Sequence, residues 1–254
     1  VDNYPGEGPE KGRGGIVLGL GAARALARQA REAGGLPISI SFVFLGSEHR
    51  WRRGEDRSGG LGSWALIHQS QALPMRAFLY LEADSARPSF SLVNTSQALL
   101  SPYWIYDRIR RSLEQAGISY RVDANLMQVH RLGLGDIQGP LGPFLSSALP
   151  AVELLDVSAP GGPISPSEEE AGIRSFTAFV SALGLANSGG FEDLWDRDYL
   201  SFQLLGRSIV IRETPYVKSL LGLVALVLVI LITQSIRRRQ ATKALLSRWP
   251  AILG

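Results

Sequence analysis

The stretch SLLGLVALVLVILITQSI, residues 219–236, divides the chain into two parts that have to be read separately. Its residues carry no charge, and at a rise of ~1.5 Å each they make roughly 27 Å of helix, close to the hydrocarbon thickness of a bilayer. Apolar side chains fall on every side of such a helix, unlike the single stripe of one that rests on a surface. Lys218 precedes the stretch, and Arg237, Arg238 and Arg239 follow it directly. The sequence therefore predicts a transmembrane helix over 216–236, with a basic tail at 237–254. The arginine run makes the tail cytoplasmic and places the head, residues 1 to about 215, outside the cytoplasm. The bilayer is the first partner the sequence implies.

This division also explains the charge. The whole chain has 26 Lys and Arg against 23 Asp and Glu. Arg237, Arg238, Arg239, Lys243 and Arg248 all follow the apolar stretch, and no acid does. Without those five, 21 basic residues face 23 acids, so the head is slightly acidic and no nucleic-acid partner is expected. There is no cysteine, which removes disulfides, thiol nucleophiles and Cys-type zinc sites together. The chain opens on Val1 rather than Met, and the head is expected to begin upstream of it.

Within the head, helical and strand signals alternate. Ile16, Leu20, Ala23, Ala27 and Ala30 form a helical stripe that ends at Gly34-Gly35. ISISFVFLG (38–46) is rich in β-branched and aromatic residues and predicts a buried strand. A short helix is expected from about Gly62, a strand in RAFLYLEA (76–83) and a helix in SPYWIYDRIRRSLEQAG (101–117). PAVELLDV (150–157) predicts a third buried strand. SPSEEEAGIRSFTAFVSALG (165–184) predicts a helix with acids massed in its first turn, where the helix dipole favours them. Alternation of this kind points to an α/β domain over 1–186, a three-layer α/β/α sandwich on a mostly parallel central sheet. Residues 187–215 are left as a connector.

Three motifs could carry chemistry. IVLGLGAAR (16–24) looks like a dinucleotide-binding glycine turn, but Arg24 stands at the third glycine position and Gly19 and Gly21 lie within the helical stripe. Helix packing is the better reading. FVFLGSEH (42–49) runs from a predicted strand into Glu48 and His49, and LYLEAD (79–84) brings Glu82 and Asp84 to the end of another. The carboxyl ends of parallel strands are where α/β sheets hold ligands. Each alone reads more readily as a solvated strand end. Ser63 in LGSWA lacks the flanking glycines of a nucleophile elbow, and His68 and His130 read as surface or packing residues.

Taken in order, LGLGAARALA, FVFLGSEH, GGLGSWALIHQ, YLE and GPLGPFLSSALPAVEL resemble the successive motifs of the co-catalytic zinc aminopeptidases, the family that includes aminopeptidase S, aminopeptidase Y, glutaminyl cyclase and the non-catalytic nicastrin. The resemblance runs over roughly residues 10 to 185. It implies that Glu48 stands at the general-base position, and that His49 and Glu82 replace two zinc-ligating carboxylates. It places Asp2 at the aspartate of a His-x-Asp pair that lies at or before Val1. The bridging carboxylate falls near Lys11 to Gly15, where there is none, and the closing His ligand falls on Leu141. A two-metal centre needs that bridging carboxylate. The expectation is therefore at most one zinc, held by His49, Glu82 and Asp2, and a catalytically degenerate head that binds peptides or other membrane subunits. The alternative is an active aminopeptidase with altered ligands.

Overall fold

The computed structural model describes residues 13–45, 61–70, 75–96, 99–122, 139–157, 164–192, 196, 199–204 and 207–248. They divide into two units: residues 1–197 with 201–210, and residues 198–200 with 211–254.

The first unit opens with helix α1 (Arg13–Ala33), which stops before Gly34 and Gly35 as the sequence predicts. Its buried face is not the predicted stripe. Gly14, Leu18, Gly19, Ala22 and Leu26 are buried, whereas Leu20 is 43% exposed. The reason is size: the face with two glycines and an alanine lets α1 approach its neighbours more closely than the leucine-bearing face would. Residues 36–45 follow in an irregular conformation and join no ladder among the described residues, so the strand predicted over 38–46 does not form there. Burial still alternates from Leu36 to Val43. Ile38 and Ile40 lie beside Gly184, and Phe42 and Phe44 beside Gly19, so side-chain packing on helices takes the place of pairing.

Helix α2 (Leu61–Ser70) precedes β1 (Phe78–Glu82), β2 (Ser89–Val93) and a small antiparallel pair, β3 (Thr95–Ser96) with β4 (Leu99–Leu100). Helix α3 (Tyr103–Gln115), β5 (Ser119–Val122), the short α4 (Gly142–Ser146), β6 (Ala151–Asp156) and α5 (Pro166–Ala186) come next. The main sheet has the order β1-β6-β2-β5. β1 runs parallel to β6, and β2 parallel to β5, but β2 and β6 are antiparallel. The sheet is thus mixed, with two of its three ladders parallel. The six residues between β1 and β2 explain the reversal, because a parallel crossover takes a dozen or more residues. The chain turns over the end of β6 instead.

That turn is gripped from several sides. Gly15 N–H donates to the Ala83 carbonyl at 2.8 Å. Asp156, at the end of β6, accepts from the Ser85 N–H at 3.0 Å and the Ser85 hydroxyl at 3.2 Å. Arg87 reaches Glu168 in the first turn of α5 at 3.0 Å. Glu168 also completes a capping box with Ser165, and these hydrogen bonds hold its carboxyl below the usual carboxylate range. A Cβ on Gly14 would collide with the Ser85 backbone, and one on Gly172 with the Ala86 carbonyl. Both helices need glycine where they cross the turn.

Elsewhere, Arg108 of α3 donates to the Asn187 side chain at 2.6 Å, to the Gly190 carbonyl at 3.0 Å and to Glu192 at 3.1 Å. Its guanidinium lies 5.1 Å from the Trp104 ring centre, joining α3 to the end of α5. Residues 187–215, read as a connector, contain β7 (Tyr199–Leu204) and β8 (Arg207–Arg212), which form a two-stranded sheet.

Most of the second unit is helix α6 (Glu213–Arg248), 36 residues long. Within its segment Thr214–Arg239, a run of 18 residues has a mean hydropathy of 2.5 and is not buried within the protein. Among the described residues it is the one helix long and apolar enough to cross a membrane, as the sequence predicts.

Gly172→Ala should lower stability by about 1–3 kcal/mol through overpacking against Ala86. Gly189→Ala, whose added carbon would meet nothing within 4 Å, should change it little. Urea unfolding of both variants beside the parent chain measures the difference.

Candidate functional site

The site is built on neighbouring strands. Glu82 is the last residue of β1, and Glu153 is the third of β6. Tyr80 stands opposite Glu153 in the ladder, with Val93 of β2 opposite on its other side. Because side chains alternate along a strand, Glu82 shares a face with Tyr80 and hence with Glu153. That face carries Phe78, Tyr80, Val93 and Ala151, which pack with Ile67 of α2 and with Leu141, Phe144 and Leu145 at α4. An acid thus sits in the middle of an apolar layer.

Glu153 is only 5% exposed, and its carboxyl makes no hydrogen bond among the described residues. Burial pushes its pKa up to about 8, and the charge of Glu82 adds to the rise. At neutral pH the Glu153 carboxyl is therefore mostly protonated, and it can donate a hydrogen bond or release a proton as the medium turns alkaline. Beyond Val93 the chain stays polar yet buried, through Asn94, Thr95 and Ser96. Ser96 Oγ accepts from Gly139 N–H at 3.0 Å and donates to its carbonyl at 3.3 Å. The Thr95 hydroxyl has no hydrogen-bond partner among the described residues.

Of the residues singled out from sequence, Glu82 lies in this site, half-buried. Asp2, Glu48, His49 and His130 lie outside the described residues. Leu141 is fully buried in the apolar cluster. Of Lys11 to Gly15, where the bridging carboxylate was expected to be absent, Lys11 and Gly12 lie outside the described residues, and at Gly14 the contact with Ser85 leaves no room for a side chain. His68 is exposed on α2, its ring centre 6.3 Å from that of Trp64. Ser63 is buried and held by interactions of its own. Gly19 and Gly21 lie inside α1, with Gly21 packed on Ile173, which bears out the helix-packing reading against a nucleotide turn. Glu153 was missed by motif reading. Its signal was a lone acid inside the apolar run AVELL, which only a strand buried on both faces would make costly.

Comparison with known proteins gives a family. Residues 47–211 match the model of the TP_0564 family, first domain, which is more than half of the chain. The chain belongs to this family, and the match ends just before α6. No curated protein and no solved structure matches it. The resemblance to the zinc aminopeptidases is thereby corrected. The family found is a different one, and no group of three or more His, Cys, Asp or Glu among the described residues could hold a metal ion.

The raised Glu153 pKa gives a stability prediction whose sign follows directly. Its folded value, about 8, lies above the ordinary 4.5, so the unfolded chain ionises first as pH rises. The stabilising contribution is complete below about pH 4.5 and is lost progressively up to about pH 8. Glu153→Gln removes this loss. The variant should gain on the parent between pH 5 and pH 8, with an upper bound of about 5 kcal/mol. Urea midpoints across that range that run parallel for the two proteins would refute it.

Proposed function

We propose that the chain is a membrane-anchored head that binds a partner chain, a peptide or another membrane subunit, rather than turning over a substrate. The observation that carries this reading is α6, whose apolar segment Thr214–Arg239 is exposed along its length and follows the family domain directly. An exposed apolar helix of this size is stable in lipid and costly in water. The description of the family as a first domain favours work alongside other domains.

The finer architecture belongs to the same proposal. The packing of α2 and α4 on Phe78, Tyr80 and Ala151, and of Phe176 in α5 against Phe90 in β2, supports helices on both faces of the sheet. In orientation, the head lies outside the cytoplasm and the end bearing Arg237, Arg238 and Arg239 lies inside, by the excess of basic residues after the apolar stretch.

The absence of native cysteine makes the orientation directly measurable. Ser188→Cys in the head should react with a membrane-impermeant thiol reagent in intact cells, and Ser247→Cys only after permeabilisation. The reverse pattern would overturn the orientation, and release of the chain from membranes by alkaline carbonate would overturn the anchoring. Turnover of a mixed peptide library by the purified chain, lost in Glu82→Gln, would overturn the binding reading. No turnover is expected.

A further inference from the structure

We infer that the arginine cluster at the end of the apolar segment is a binding collar for acidic phospholipid headgroups. The inference rests on α6 spanning the bilayer and adds a lipid preference to that reading.

Lys218 and Arg237 are the charged residues that bound the apolar stretch, and the helix between them is unbroken. At ~1.5 Å per residue they stand roughly 29 Å apart along the axis, close to the hydrocarbon thickness. When Lys218 reaches one headgroup layer, Arg237 reaches the other. The two ends differ in strength. One has a single lysine at its border, whereas the other has Arg237, Arg238 and Arg239 in succession, all exposed.

Helix geometry then spreads these arginines. Successive residues turn by about 100°, so three in a row sweep guanidinium groups around much of the helix rather than stacking them on one side. A single lipid could be served by one arginine, but a swept cluster meets several headgroups around the helix. Each guanidinium offers forked donors that match phosphate oxygens and is more weakly hydrated than an ammonium. No acid occurs between Thr214 and Gly254, so this part of the sequence is uniformly basic in its charged side chains. Lys243 and Arg248 continue the positive charge within the same helix. The turn before the cluster, Thr233 to Ser235, is polar, and the Thr233 hydroxyl donates to the Val229 carbonyl at 2.7 Å. Thr233 thus satisfies itself within the helix, which leaves the arginines as the groups suited to lipid phosphate.

The test uses the full chain in nanodiscs of phosphatidylcholine and phosphatidylglycerol at three to one, with the lipids retained by the protein counted by native mass spectrometry. The ratio of phosphatidylglycerol to phosphatidylcholine among the retained lipids should be about fivefold that of the disc. Raising the salt to 0.5 M should reduce the enrichment, as screening demands. Arg237→Gln, Arg238→Gln and Arg239→Gln combined should bring it close to unity, while the three lysine replacements should keep most of it. Inorganic phosphate at 10 mM and matched ionic strength should displace none of the lipid. No enrichment in the parent chain, equal enrichment in the glutamine variant, loss in the lysine variant, or displacement by phosphate would each overturn the collar. A chain that stays in the disc without lipid preference refutes the collar alone. A chain that leaves the disc refutes the membrane anchor first.

Discussion

The turn between β1 and β2 is the constraint on which the rest of the head depends. Six residues must carry the chain from the edge strand, across the end of β6, into an oppositely directed strand. Two helices then press on that turn so closely that only glycine fits at Gly14 and Gly172. Asp156 binds the same turn from β6, and Arg87 ties it to the capped start of α5. A change at any of these points alters the angle of a helix and the reversal of the sheet together. Their contributions are therefore coupled rather than additive.

Among the described residues, Glu153 places an acid inside the apolar core of the head. Placing an acid there costs free energy that Val or Leu would not, and the protein limits this cost by keeping the group protonated rather than by pairing it. Its neighbours in the ladder are Tyr80 and Val93, and the second acid of the face, Glu82, stands at the strand end, where it is half-buried. The two carboxyls thus have unlike surroundings within one face. This asymmetry is a property of the sheet register, because a one-residue shift of β6 would turn Glu153 to the opposite side.

Much of the local structure was legible in sequence. The glycine stop of α1, the start of α3 just after Ser101-Pro102, the acidic first turn of α5, and the strands around Tyr80 and Glu153 are all found where the residues place them. β2 and β5 were not anticipated, because SFSLV and SYRV are short and mix polar with apolar residues. The buried face of α1 was misjudged because hydrophobicity favours Leu20, whereas close packing favours Gly14 and Ala22. Residues 38–45 have the composition of a strand, yet their side chains rest on Gly19 and Gly184, and no ladder forms. Motif order alone suggested a metallopeptidase, and the family match shows how little order is worth without its ligands.

The sequence by itself determined the long apolar helix, its basic end and the positions of most head elements, because these depend on composition, period and capping within one segment. Only the tertiary structure decided the mixed direction of the sheet, the glycine contacts at the β1–β2 turn and the meeting of Glu153 with Glu82. Each of these depends on residues separated by about sixty or more positions. Burial, which raises the pKa of Glu153, belongs to the packed sheet and helices and not to any one segment.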